Sequence, residues 1–205
     1  KRPVEWLLSH LEVDADFHLV HGTHLTVSEI QGVARSGATV SICPSTEANL
    51  GDGIFPLVSY RKLGGRWSIG TDSHVGLDPF EEMRCLENSQ RLVLGKRNPL
   101  CEKGEATGEI HFAQALFGGR RAVGLSERPF EVGQDLNGVL VDDEEPLLKD
   151  LEKTKRLSVL LATSNQRRPK SVMGKGQWLA QSGRHRDELS LTQAFKRVCR
   201  HLRNS

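Results

Sequence analysis

The chain has 205 residues with a formal net charge of +2, and 37% of its residues are hydrophobic. This balance is typical of a globular protein and excludes a disordered chain or a dedicated nucleic-acid binder. No apolar run approaches the roughly 20 residues that a membrane span requires, so we expect no membrane partner. The four cysteines are widely spaced without a CxxC pair, which indicates reduced thiols and a cytoplasmic location.

The first ten residues already predict a helix, with Pro3 suited to its first turn. The sequence shows neither an initiator Met nor a targeting segment. We therefore expect the chain to be a fragment that begins inside a domain.

Three apolar segments predict β-strands, and each of them ends in polar side chains. The strands are expected at 17–24, 38–43 and 67–72, with helices at 27–35, 56–63, 79–94 and 110–117 and a polar, glycine-rich loop at 44–56. Repetition of strand, polar end and helix predicts parallel strands with crossover helices. Polar groups at every strand end favour a barrel wall over a doubly wound sheet, which needs them only at its switch point. Three strands cannot close a barrel, so only part of one is expected here.

From about residue 127 the sequence changes to short strand segments separated by turn residues. Residues 1–126 are therefore interpreted as a partial barrel domain, and 127–205 as a small β-rich subdomain that ends in a helix. Within the second part, a strand is expected at 156–163, a hairpin around Gly174–Gly176 and a helix at 189–202.

Two pairs of polar residues follow predicted strands: His21 with His24, and Asp72 with His74. Carboxylate and imidazole groups gathered at the carboxyl end of a barrel could bind a metal ion such as zinc and activate water on it. The residues alone leave alternatives open. Asp72 could cap the segment that follows it, and His24 and His74 could be hydrogen-bonded loop residues.

Three runs of the sequence carry a resemblance to a known family. They are LVHGTHLT at 19–26, CPSTEANLGDGIFP at 43–56 and GTDSH at 70–74. Together they resemble the amidohydrolase superfamily and, more narrowly, its N-formimino-L-glutamate deiminases. The part from Glu47 to Pro56 is the most specific, since other deaminases of the superfamily typically have Asn after Cys-Pro-x-Ser. The stretch 171–185 also resembles the last hairpin of that family.

The resemblance implies an α/β fold, namely the C-terminal part of a (β/α)8 metal-dependent hydrolase barrel from about strand 6 to strand 8. It implies one zinc ion per subunit, with Asp72 as metal ligand and catalytic proton acceptor. His21 would be catalytic and would contact the substrate. Further substrate contacts are expected, at lower specificity, from one wall of the pocket: Glu47, Asn49, Gly51 and Asp52.

The implied reaction is the hydrolytic deimination of N-formimino-L-glutamate to N-formyl-L-glutamate and ammonia, a cytoplasmic step of histidine breakdown. A homodimer is implied for the full-length protein. No residue here matches the other zinc ligands or the acid/base glutamate, so we expect the 205-residue chain alone to be inactive. The alternatives are another deaminase or chlorohydrolase of the superfamily, acting on a purine, pyrimidine or triazine, and an inactive interaction module.

Overall fold

The computed structural model describes residues 1–73, 76–101, 105–142, 144–163 and 169–204. The chain divides into two compact units. The first contains Lys1–Glu127 and Asp150–Asn165, and the second contains Arg128–Lys149 and Gln166–Ser205. Residues 150–165 thus belong to the first unit, whereas the sequence interpretation assigned them to the second part of the chain.

The first unit alternates short strands with helices. In chain order its elements are α1 (Pro3–His10), β1 (His18–Val20), α2 (Val27–Ser36), β2 (Thr39–Ile42), α3 (Pro44–Leu50), α4 (Leu57–Lys62), β3 (Arg66–Ile69), α5 (Pro79–Leu94), α6 (Thr107–Ala122) and α7 (Lys153–Thr163). None of the helices in the described ranges combines the length and the apolar character that crossing a membrane needs.

The three strands of this unit form one sheet in the order β1-β2-β3, and both pairs are parallel. The parallel arrangement predicted from the sequence is therefore confirmed. Ser41 pairs with Val20 on one side and with Ser68 on the other, so the three strands end at nearly the same level. Since parallel strands share their carboxyl edge, the residues that follow them are brought together.

The sheet lies within the hydrophobic core, and three of the four residues of its central strand β2 are buried. Val40 of β2 and Trp67 of β3 are 0% and 1% exposed. Helix α6 packs directly on β3, because a Cβ atom added at Gly118 would lie 2.0 Å from the Trp67 carbonyl oxygen. The sequence predicted that Gly118 and Gly119 end this helix, and that prediction was wrong. The helix continues to Ala122, because Gly118 allows the close approach of the two backbones.

Helix α3 occupies residues that were predicted to form a loop. It begins with Pro44 in its first turn and ends at Gly51, whose φ of 71° is the left-handed conformation that terminates helices. The loop prediction therefore holds only after Leu50. The polar composition of residues 44–56 favoured a loop, although Pro44 and Gly51 are signals for the start and the end of a helix.

Helix α7 replaces the strand that was predicted at 156–163. An apolar run of this length does not distinguish a strand from a buried helix. Close packing between α6 and α7 favours the helix. A Cβ atom added at Gly108 of α6 would lie 2.2 Å from the backbone of Leu157. Leu160 and Leu161 are buried on the same helix.

The second unit is an antiparallel sheet followed by a helix. Its elements are β4 (Gly138–Leu140), β5 (Ser171–Gly174), β6 (Gln177–Gln181), β7 (Arg184–His185) and α8 (Glu188–Arg203), with the strands in sequence order in the sheet. The predicted hairpin and terminal helix are present. Lys175 and Gly176 turn the hairpin with φ values of 48° and 75°, the sign that a two-residue type I′ turn requires.

Candidate active site

His21 and Asp72 lie at the carboxyl edge of the parallel sheet. Nε2 of His21 is 3.6 Å from Oδ2 of Asp72, and both side chains are partly exposed. The His21 N–H donates a hydrogen bond to the Ser41 carbonyl oxygen at 2.9 Å, which extends the β1–β2 ladder into the site. The structure thus brings together the two residues that the sequence singled out for catalysis.

Both residues adopt a backbone conformation that side chains disfavour. The φ angle is 66° at His21 and 42° at Asp72. A non-glycine residue in this region costs on the order of 1–2 kcal/mol and persists only where surrounding contacts enforce it. No pattern local to the two residues in the sequence predicts this strain.

Glu47 is the partner that orients His21. Its carboxylate lies on the first turn of α3 and is 4% exposed. Oε1 of Glu47 is 3.2 Å from Nδ1 of His21 and accepts a hydrogen bond from the Cys43 N–H at 2.9 Å. Burial raises the pKa of Glu47, and the hydrogen bonds from Cys43 and His21 offset part of that increase. The sequence resemblance predicts a substrate contact at Glu47, and the structure shows a contact of Glu47 with His21.

Cys43 is the residue of this site that the sequence analysis did not single out. It directly follows β2, the strand between β1 and β3, and it is 3% exposed. Its Sγ lies within 4.8 Å of a ligand atom of His21 and of one of Asp72. Burial, with the negative charges of Glu47 and Asp72, raises the pKa of the thiol to about 11. The position of a cysteine at the end of the central strand was the available signal.

The other three proposed substrate contacts lie toward the end of α3. Asn49 is exposed and is two residues from Glu47, so it lies on a different side of the helix. Gly51 is exposed at the helix end, and the Asp52 N–H donates to the Glu47 carbonyl oxygen at 2.9 Å. Substrate binding by Asn49, Gly51 and Asp52 remains a prediction. His74 lies outside the described residues.

The loop that carries Asp72 is held against α3. Thr46 is fully buried, and its hydroxyl lies 3.0 Å from the Ser73 hydroxyl and donates to the Thr71 carbonyl oxygen at 3.2 Å. On the other side, the Ser45 N–H donates to Glu82 of α5 at 3.0 Å. These polar contacts hold the start of α3 and the loop that carries Asp72 in place.

The donor chemistry of the site fits a zinc ion. An imidazole nitrogen, a carboxylate oxygen and a thiol sulfur are the three ligand types that zinc accepts in proteins. His21, Cys43 and Asp72 present one of each within a single cluster. Glu47 at Nδ1 of His21 fixes the orientation of the imidazole ring, so that Nε2 faces Asp72.

A parallel sheet with polar groups at its carboxyl edge is typical of the α/β class of enzymes, and comparison with known proteins identifies the family. The model of the Amidohydrolase family matches residues 2–179. The chain belongs to this family, and its fold is that of the TIM-barrel superfamily of amidohydrolases.

Two curated relatives narrow the similarity. Over 203 residues, 98% of this chain, it is 39% identical to a formimidoylglutamate deiminase of Pseudomonas aeruginosa, of which it covers 45%. Over 150 residues, 72% of this chain, it is 32% identical to a 5-methylthioadenosine/S-adenosylhomocysteine deaminase of Halobacterium salinarum, of which it covers 33%. The chain thus spans less than half of the length of these two relatives.

Solved structures give the same picture of the fold. An amidohydrolase from Brucella melitensis superimposes with a TM-score of 0.92 at 36% identity, covering 98% of this chain and 44% of that one. An adenosine deaminase from Xanthomonas campestris, solved with bound zinc, superimposes with a TM-score of 0.78 over 94% of this chain and 44% of that one. At 24% identity the second comparison concerns the fold alone.

Proposed function

We propose that this chain carries part of the active site of a zinc-dependent hydrolase that converts N-formimino-L-glutamate to N-formyl-L-glutamate and ammonia. The observation that carries the proposal is the convergence of His21, Glu47 and Asp72 at one sheet edge, in a chain 39% identical to a formimidoylglutamate deiminase. Strands β1, β2 and β3 would be strands 6, 7 and 8 of the barrel. The same proposal includes the cytoplasmic location and the homodimer that the family resemblance implies.

Asp72 is the residue that would hold the metal. Its carboxylate is 43% exposed and faces the free side of His21, so it is open to a cation and to water. When bound there, zinc supplies a Lewis acid that brings the pKa of an attacking water molecule to about 7. The Asp72 carboxylate would accept the proton of the attacking water molecule and return it to the departing nitrogen.

His21 would act on the formimino group through Nε2. The buried Glu47 carboxylate accepts a hydrogen bond from Nδ1–H and thereby fixes the orientation of the imidazole ring. Nε2 consequently faces the space beside Asp72, where the reacting carbon would lie. A proton on Nε2 stabilises the charge that develops as water adds to that carbon, and the C–N bond then breaks with release of ammonia.

A second function is favoured by one observation, the 32% identity to a 5-methylthioadenosine/S-adenosylhomocysteine deaminase. Both reactions add water to an amidine-like carbon and release ammonia, so the contacts of His21 and Asp72 suit either. The substrates differ in charge and size, which makes kinetic comparison decisive.

The test uses the natural polypeptide that contains this sequence, assayed for ammonia release. We expect kcat/KM for N-formimino-L-glutamate to exceed that for 5′-methylthioadenosine by at least about 100-fold, the range that a polar recognition site provides. The opposite preference would replace the proposed function with the purine alternative. Release of ammonia from neither substrate would contradict both.

A further inference from the structure

Helix α3, which carries Glu47, is attached to a buried carboxylate of α5. Glu82 is 1% exposed, and within the described residues its side chain accepts hydrogen bonds from the Ser45 N–H, at 3.0 Å, and from the Ser45 hydroxyl. We propose that Glu82 is a positioning residue, which holds the first turn of α3 so that Glu47 stays bonded to His21. The inference rests on the proposed function, in which His21 acts on the substrate.

Helix α3 depends on tertiary contacts because it is short. It has seven residues, whereas isolated helices of fewer than about 12 residues are marginal in water. Cys43, which precedes the helix, makes no side-chain cap hydrogen bond, and Pro44 in the first turn has no N–H. The Ser45 N–H is thus the first donor of the helix. Glu82 accepts its hydrogen bond and places a negative charge where the start of a helix favours one.

The burial of Glu82 indicates that this contact is specific. Removing an ionised carboxylate from water costs several kcal/mol, which hydrogen bonds or an opposite charge must offset. Glu82 directs one carboxylate oxygen to the N–H of Ser45 and the other to its hydroxyl. Glu81, its neighbour on α5, is exposed. The two adjacent glutamates therefore differ in burial, and Glu81 provides a control.

Helix α5 holds the segment that contains α3 at two places. Glu82 and Gln90 are both buried and are spaced so that they share one side of the helix, about two turns apart. The Gln90 side-chain amide donates to the Phe55 carbonyl oxygen at 2.9 Å. Loss of Glu82 would therefore free the start of α3, while Gln90 keeps the far end of the segment attached.

A shift of the first turn of α3 would reach His21 through Glu47. Glu47 follows Ser45 by two residues, and its Oε1 lies 3.2 Å from Nδ1 of His21. Misplacement of a reacting group by about 1 Å can cost on the order of 100-fold in rate. A small displacement of Glu47 would rotate the imidazole ring away from the reacting carbon without removing any group that takes part in the reaction.

The first experiment removes the attachment in the natural polypeptide and measures ammonia release from N-formimino-L-glutamate. We expect Glu82→Ala to lower kcat by about 10-fold and to change KM by less than about twofold. Zinc content should not change, because the Thr46 hydroxyl still holds the loop that carries Asp72. Glu82→Gln keeps the shape and an acceptor for the Ser45 N–H, so its kcat should stay within about threefold of the parent value. Glu81→Ala should change neither kcat nor KM.

The second experiment tests whether Glu82 acts through Glu47. In a Glu47→Gln background, Glu82→Ala should lower kcat by less than about twofold, because the contact that it supports is already weakened. Additive losses in the double variant would overturn the proposal. A loss in Glu82→Gln equal to that in Glu82→Ala, or a comparable loss in Glu81→Ala, would also overturn it.

Hydrogen exchange tests the attachment without turnover. The Cys43 N–H donates to Oε1 of Glu47, and the His21 N–H donates to the sheet. In Glu82→Ala the Cys43 amide should exchange at least about 5-fold faster, whereas exchange of the His21 amide should not change. Ser45→Ala removes only the hydroxyl contact, so it provides the same comparison if Glu82→Ala does not fold. Equal acceleration at both amides, or none at Cys43, would overturn the proposal. Absence of ammonia release by the parent would contradict the proposed function alone, since the exchange result does not depend on it.

Discussion

The two sheets of the molecule differ in how much side-chain surface they bury, and the candidate chemistry occurs in the more buried one. In the first unit, Val40 and Ile42 of the central strand are 0% and 1% exposed. In the second unit, Trp178 of β6 is 40% exposed, and helix α8 contains no buried residue.

This difference has an energetic meaning. Strained φ angles at His21 and Asp72 and a buried carboxylate at Glu47 all cost free energy, and only a well-packed region can compensate for them. The parallel sheet provides that packing at its carboxyl edge. The antiparallel sheet has the turn chemistry of a stable hairpin but few buried contacts, and its substitutions should have small effects.

The largest effect is expected at Asp72 of the first unit, with Asp142 of the second unit as its control. The two carboxylates have similar exposure, 43% and 49%. In the natural polypeptide, Asp72→Asn should lower kcat for N-formimino-L-glutamate by about 1000-fold, because it removes both a metal ligand and a proton acceptor. Asp142→Asn in the second unit should leave kcat unchanged. Steady-state kinetics and zinc analysis of both variants measure the effect. Near-normal turnover in Asp72→Asn would show that Asp72 caps the segment that follows it and is not a metal ligand.

The next effect concerns the close packing of α6 on the parallel sheet. Gly118→Ala should lower the free energy of unfolding by about 3 kcal/mol, because the new Cβ meets the Trp67 carbonyl oxygen at 2.0 Å. The neighbouring Gly119 has nothing within 4 Å of its added Cβ, so Gly119→Ala should stabilise the helix by about 0.5–1 kcal/mol. Urea unfolding followed by circular dichroism measures both. Equal effects would contradict the observed packing.

Glu47→Gln separates orientation from stability within the buried region. The amide keeps the shape but weakens the hold on Nδ1 of His21, so kcat should fall about 10- to 100-fold with a smaller change in KM. Glu152→Gln, at a carboxylate that is 70% exposed, is the matched control and should have no effect. A fall in zinc content that equals the fall in kcat would instead assign Glu47 to metal retention.

The pH dependence of the same variant has a defined sign. Folding raises the pKa of Glu47 above its ordinary value of 4.5. Below pH 4.5 the carboxyl is protonated and burial costs the folded protein little. As the pH rises through the folded pKa, the buried group becomes charged and the free energy of unfolding falls. Glu47→Gln lacks this loss. Its free energy of unfolding relative to the parent should therefore rise between acidic and neutral pH, and a flat difference across that range would show that burial does not penalise this carboxylate.

The smallest effect is expected in the second unit. Phe195 of α8 is 69% exposed, so Phe195→Ser should change the free energy of unfolding of the 205-residue chain by less than about 0.5 kcal/mol. Thermal and urea unfolding check this value. A loss above 1 kcal/mol would show that the contrast between the two units is smaller than their exposed surfaces indicate.

Several elements were determined by the sequence itself, because their signals are local. The helix at 79–94 was predicted with the bounds that α5 has. Its ends are marked by Asp78, which accepts a hydrogen bond from the Phe80 N–H, by Pro79 in the first turn, and by Gly95 in the left-handed conformation. The parallel order of strands and the polar groups at their ends were likewise readable from alternating strand and helix patterns.

Only the tertiary structure decided the rest, because the deciding contacts join residues far apart in the chain. Gly118 lies inside α6 because its backbone packs on Trp67, and residues 153–163 are helical because they pack against Gly108. The pairing of Glu47 with His21 depends on the register of the parallel strands, which no local pattern specified. Periodicity encodes which face of an element is buried, whereas the distance between two functional groups depends on how separate elements pack.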